Sequence, residues 1–232
     1  MSESTRTYLP AAGYDWSLPF YDPIVKLLGG DKARMVLLDH AALRPGYRVL
    51  DIGCGTGTLV TLIKCHHPDV EVVGIDPDPK ALARARRKAA KAAVSIQFDQ
   101  GFGDDLPYAA AIFDRVFSSF MFHHLPPNEK DRTLRAVQRV LKPGGGFHML
   151  DFEGPESGSH GVFAHLLHSS QRLKENSESR VLSLMRESGL ADFQKRCSSF
   201  CNFGLALPWR RPPCLHGKIA GRRRLRPLCR AG

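Results

Sequence analysis

Short runs of β-branched and apolar residues recur along the chain, and between them lie stretches whose apolar positions return every three or four residues. The first pattern is that of strands and the second that of packed amphipathic helices. Strand-like runs stand at Arg48–Ile52 (RVLDI), 71–75 (EVVGI), 94–98 (VSIQF), 115–120 (RVFSSF) and 146–152 (GFHMLDF). Helical signals fill the gaps. Asp78-Pro79 is a cap followed by a first helical proline, opening an Ala-rich basic helix over 80–93. Asn128 is placed to cap a helix over 129–141, with Leu134, Val137, Val140 and Leu141 on one face and Pro143-Gly144 as its stop. A short apolar helix is expected over 59–63, and others over 23–28, 31–42, 162–173 and 180–187. Strands alternating with helices predict an α/β fold, a three-layer α/β/α sandwich on a mostly parallel sheet.

Length and composition agree with this. A chain of 232 residues, 43% hydrophobic and 24% charged, has core enough for one α/β domain and is neither a disordered tail nor a membrane bundle. No apolar stretch approaches the roughly 18 residues of a bilayer-spanning helix, and 1–20 lacks the pattern of a secretory signal, so a cytoplasmic protein is expected. The net charge of +10 is concentrated at one end. From Phe193 onward stand Lys195, Arg196, Arg210, Arg211, Lys218, Arg222, Arg223, Arg224, Arg226 and Arg230, with no acidic residue, and the remaining 23 basic residues balance all 23 acidic ones. A polyanion-binding body would carry its positive patch itself; nucleic acid enters the expectation only through the tail. The six cysteines (54, 65, 197, 201, 214 and 229) are expected as reduced thiols, and their spacing fits no zinc pattern, so no metal is expected.

The densest chemical signal is V-L-D-I-G-C-G-T-G-T over 49–58, a strand running into a turn with glycine at alternate positions and then into an apolar helix. Such a turn lets a ligand lie against the main chain and offers it the open amides of a helix start. Counting G-x-G-x-x-G/A from Gly53 puts Thr58 in the last place, and from Gly55 puts Val60 there, so the dinucleotide fingerprint fails in both frames; no G-x4-G-K-[ST] phosphate loop exists either.

The glycine loop and the motifs C-terminal to it resemble the class I S-adenosylmethionine-dependent methyltransferases, in the style of the ubiquinone and menaquinone biosynthesis enzymes. The resemblance spans roughly 14–190 and rests on VLDIGCGTG, Asp76 ending the second strand, GFGDDLPY over 101–108, Phe113-Asp114, His123-His124-Leu125 and LKPGG over 141–145. It implies a Rossmann-like fold with an N-terminal aromatic and helical cover over 1–43, a cofactor-binding domain over 44–204, and an atypical C-terminus. S-adenosylmethionine is the cofactor it implies and a small molecule with a C, O or S nucleophile the acceptor. Methylation of RNA, protein or arsenite, or cofactor binding without turnover, stays open beside it.

Asp51 at the end of the first strand would favour a cationic amino acid group, the amides of 53–57 a carboxylate and sugar, and Asp76 two ribose hydroxyls. The expected cofactor-binding set is Tyr21, Asp51, Gly53, Cys54, Gly55, Gly57, Asp76, Pro77, Phe102, Gly103 and Ser118. Phe102 stands where the family usually has an acid facing the adenine amino group, which leaves Asp104 or Asp105 to supply that acceptor. His123 and His124 are the candidate bases, with Asp151, His165 and His168 behind them. A sixth strand fits 193–200, but a seventh is hard to find. The basic Pro- and Arg-rich segment 205–232 reads as a disordered tail, from a shifted reading frame or serving as an arm for RNA or a membrane surface. A missing last strand would leave a sheet edge able to pair with a second copy.

Overall fold

A computed structural model of the chain describes residues 30–151 and 178–190. In order they form α1 (Gly30–Ala41), β1 (Arg48–Ile52), α2 (Thr58–His66), β2 (Glu71–Asp76), α3 (Pro79–Lys91), β3 (Gln97–Gln100), β4 (Phe113–Ser119), a 3-10 turn (Phe122–His124), α4 (Pro127–Val140), β5 (Leu141–Leu150) and α5 (Glu178–Glu187). The strands make one parallel sheet in the order β3-β2-β1-β4-β5. This is the Rossmann-like α/β arrangement expected from the alternation.

Strand periodicity builds the layers. On β1, Val49 belongs to a core with Leu38 of α1, Leu59, Val60 and Ile63 of α2 and Leu82 of α3. Leu50 and Ile52 belong to the opposite core, with Ala136, Val137 and Val140 of α4. Central strands buried on both faces are what a sheet with crossover helices on each side requires. A smaller cluster of Phe122, Leu134, Val181 and Met185 fastens α5 to α4.

Several boundaries differ from the sequence reading, each for a local reason. The third strand begins at Gln97 rather than Val94, because the chain needs 92–96 to leave α3: Ala93 is left-handed (φ 53°) and the amide of Val94 donates back to Ala89. α4 starts at Pro127 after Pro126, so Asn128 lies inside the helix and does not cap it; proline at the first helical position has its φ already set. β5 begins at Leu141, which pairs with Phe113, and 142–145 then form an irregularity before Gly146 pairs with Arg115. Pro143-Gly144 therefore interrupts a strand instead of stopping a helix. The cap of α3 is as expected: Asp78 accepts from the amide of Lys80 at 2.8 Å with Pro79 at the first position. Besides Ala93, the backbone is left-handed at Ala42, Ala111 and Phe120.

Residues 1–29 of the cover expected over 1–43, Tyr21 and the helix expected over 23–28 among them, the helix expected over 162–173 with His165 and His168, the sixth strand and the tail lie outside the described residues. Among the described residues no helix is long and apolar enough to cross a membrane.

Candidate active site

Between β1 and β4 the strand order reverses, and in open α/β sheets ligands bind outside the carboxyl ends of the strands at that point. A cavity of about 400 Å³ lies there, walled by Asp51 to Thr56, Asp76 and Pro77, Phe102 to Asp104, and the segment after β4 that includes Phe120, Met121 and His124.

The glycine turn forms its floor. Gly53 has φ 68° and a Cβ there would lie 2.2 Å from Met121 Cγ, so any larger residue would displace the opposite wall. Gly57 has φ 78° and a Cβ there would lie 2.7 Å from Ala85 Cβ of α3. It closes the turn against its neighbouring helix and does not reach the cavity wall. The amides of Gly53 and Cys54 both donate to the carbonyl of Ile75, tying the turn to β2.

Asp76 completes that tie: its Oδ2 accepts from the amide of Gly55 at 2.8 Å and its Oδ1 from the amide of Asp78 at 2.9 Å. Burial pushes its carboxyl up to about 6 while these two amides hold it down. Each oxygen keeps a further lone pair directed at other donors. Asp51 is more completely enclosed. Burial pushes it up to about 8; Arg34 draws it down and Asp76 pushes it higher, and its Oδ1 has no hydrogen-bond partner among the described residues. An orphaned carboxyl oxygen in a cavity wall calls for a donor from a ligand. Cys54 also lines the cavity, with a thiol raised well above its ordinary value by burial and then by the two nearby carboxylates. It is therefore a neutral packing group.

Of the expected cofactor residues in the described part, Asp51, Gly53, Cys54, Gly55, Asp76, Pro77, Phe102 and Gly103 come together in this wall. Ser118 lies one residue short of it, buried in β4 with its Oγ unpartnered among the described residues. Asp104 rather than Asp105 faces the cavity, and its carboxylate also receives Arg132 at 2.8 Å.

The two histidines separate. His124 is in the wall. His123 is buried behind it, its amide donating to Asp151 Oδ2 at 2.7 Å and its Nδ1 against Asp151 Oδ1, with the two imidazole centroids 3.9 Å apart. Asp151 thus anchors the 3-10 turn that presents His124. Sequence reasoning missed Arg34, which α1 places in the wall over the ring of Phe120, 5.2 Å from its centroid. Nothing in the sequence distinguishes it from the exposed charges of the same helix; only its burial does.

A glycine-rich cradle, an orphaned carboxyl at the end of β1 and an acid with spare lone pairs at the end of β2 fit a nucleoside bearing an amino acid. An α/β sheet with such a site at its switch point is built to hold a donor of those two parts. The family match agrees: residues 49–145 match the model described as methyltransferase domain. A demethylmenaquinone methyltransferase of Thermus thermophilus is 37% identical over 147 residues, covering 62% of this chain and 66% of that protein. An uncharacterized methyltransferase of Synechocystis is 33% identical over 146 residues, with the same coverage. The crystal structure of the YcgJ protein from Bacillus subtilis superposes with a TM-score of 0.59 at 26% identity, covering 68% of each chain. A phosphoethanolamine N-methyltransferase of Haemonchus contortus, in complex with S-adenosyl-L-methionine, shares the fold with a TM-score of 0.60 at 20% identity, over 68% of this chain and 36% of its own.

The chain spans just under two thirds of the length of these curated relatives. Over residues 49–145 the chain matches a methyltransferase domain, and S-adenosylmethionine is the cofactor that such a domain uses.

Proposed function

We propose that the protein transfers a methyl group from S-adenosylmethionine to a small molecule carrying an acidic carbon, hydroxyl or thiol, by in-line displacement. The cofactor supplies an electrophilic methyl on a sulfonium. The chain's own residues bind, orient and exclude water. The amides of Gly53, Cys54, Gly55 and Gly57 are spent on Ile75, Asp76 and Cys54, so the turn offers the donor a close main-chain surface instead of the open amides expected from the sequence. Asp76 offers its remaining lone pairs to a pair of hydroxyls and Asp51 its orphaned oxygen to an ammonium group.

The observation that carries the acceptor class is the wall facing the glycine turn. Phe120, Met121, Leu125 and Pro126 are apolar, and among them His124 brings one imidazole. Such a wall excludes water and suits a compact apolar acceptor, while the imidazole of His124 accepts the proton that the nucleophile sheds. The quinone-directed names of several relatives support an aromatic acceptor of this kind. Binding of S-adenosylhomocysteine by calorimetry, followed by a product screen over phenols, quinols and thiols, tests the reading. In that screen His124→Gln is expected to slow turnover on the order of 10²-fold or more while leaving S-adenosylhomocysteine affinity within about twofold. Binding without methylated product from any acceptor would favour a cofactor-binding module, and strongly salt-dependent activity on RNA would favour a nucleic-acid acceptor.

A further inference from the structure

Glu129 lines the cavity beside His124, Leu125 and Pro126 and has no part in the reading above. It is the third residue of α4, whose N-cap is Pro126 and whose first helical residue is Pro127. A glutamate at that place ordinarily reaches back to the N–H of the cap residue. Proline has none, so this structural use is closed to Glu129. Helical side chains lean toward the N-terminus of their helix, and here that direction leads to the cavity wall over 124–126. Of the other acids of the wall, Asp51 and Asp76 belong to the side of the glycine turn, and Asp104 receives Arg132 at 2.8 Å. Arg34 is the only lysine or arginine among the described lining residues, and it is engaged with Asp31 at 3.3 Å. Glu129 is thus the acidic group of the wall that otherwise holds His124 and apolar side chains.

We propose that Glu129 selects the acceptor: its carboxylate receives a hydrogen bond from a second donor group on the acceptor, a hydroxyl or an amine, and turns away acceptors that carry an anion. The proposal rests on the reading of this wall as the acceptor wall and adds the polar feature that an acceptor must present besides its nucleophile. A carboxylate has two oxygens and about four lone-pair sites, so it can serve a ligand together with a neighbour. A neutral donor leaving water finds its hydrogen bond replaced at Glu129. A carboxylate or phosphate brought to the same place meets like charge where little water screens it. The two polar groups of the wall then divide the work, His124 taking the proton of the nucleophile and Glu129 holding the second donor.

The test uses phenols that differ in one substituent, titrated by NMR into the full chain saturated with S-adenosylhomocysteine. 4-Aminophenol carries a second donor, 4-methoxyphenol an acceptor only, and 4-hydroxybenzoate an anion; the 3-substituted isomers cover the other geometry. The wild type is expected to bind the aminophenol most tightly and the hydroxybenzoate at least about 10-fold more weakly. Glu129→Gln keeps an oxygen acceptor and loses the charge, so the gap to the hydroxybenzoate should close to within about threefold while the aminophenol keeps its lead over the methoxyphenol. Glu129→Ala should erase both differences. Each variant should hold S-adenosylhomocysteine within about twofold of wild type, a result that a merely structural role at the start of α4 would not give together with changed selectivity. The same ranking of the three phenols in wild type and Glu129→Gln would overturn the proposal, as would an equal loss of nucleoside and phenols. If Glu129→Ala fails to fold, Glu129→Gln decides by the same comparison. A wild type that binds S-adenosylhomocysteine but no phenol would instead overturn the reading of the acceptor wall, so the two failures are distinguishable.

Discussion

At neutral pH the carboxyl of Asp51 keeps its proton, because burial raises it to about 8 from an ordinary value near 3.8. The native state therefore binds more protons than the unfolded chain between those values, and its stability falls as the pH rises through that window, with the full penalty above 8. Asp51→Asn removes the titration. Urea unfolding should show the variant gaining on wild type as the pH rises from about 4 to 8, by on the order of 1–3 kcal/mol at pH 9, with the titration-dependent part of the difference closing near pH 4. The same variant should bind S-adenosylhomocysteine more weakly, with the gap widening as the pH rises and Asp51 ionises in the wild type, since an amide cannot ionise for an ammonium. His148 opposes this on the acid side: burial, then Arg115 and His40, lower it to about 4, so stability also falls as the pH drops through the interval from 6.5 to 4. Gly57→Ala should cost about 2–4 kcal/mol, because it needs both φ 78° and a Cβ 2.7 Å from that of Ala85. Asp51, Asp76 and the glycines were visible in the sequence because spacing alone identifies them. Arg34 was not, since a basic residue on an amphipathic helix looks alike whether it faces solvent or a cavity.

Among the elements, the strands were legible where they are central and less so at the edges. β1 and β2 are buried on both faces, so their composition is nearly pure. β3 reads QFDQ and is half exposed, and its start is set by how α3 ends rather than by its own residues. The interruption in β5 comes from the register of its pairing with β4, which no single-chain pattern records. Local capping is the opposite case, a feature written wholly in adjacent residues. Asp78→Ala is expected to lower unfolding free energy by about 1 kcal/mol and to leave S-adenosylhomocysteine affinity within about twofold, because the amide that Asp76 receives from residue 78 survives the change. An unfolding series beside a titration checks both halves of that expectation.

For the whole molecule, charge and site occupy different parts of the chain. Every described residue of the cavity wall lies between Arg34 and Glu129, while the charge excess begins at Phe193. Removing 205–232 should leave S-adenosylhomocysteine affinity within about twofold and should abolish any salt-sensitive retention on an anionic matrix. A tenfold loss of nucleoside affinity on truncation would show that the tail contributes to the cavity. The left-handed alanines at 42, 93 and 111 lie away from that wall. Each holds a backbone angle that glycine adopts at little steric expense. The scaffold thus carries three unexploited places for consolidation, so substitutions that weaken the donor pocket could be offset elsewhere, and variants selected for a new acceptor have a reserve on which to draw.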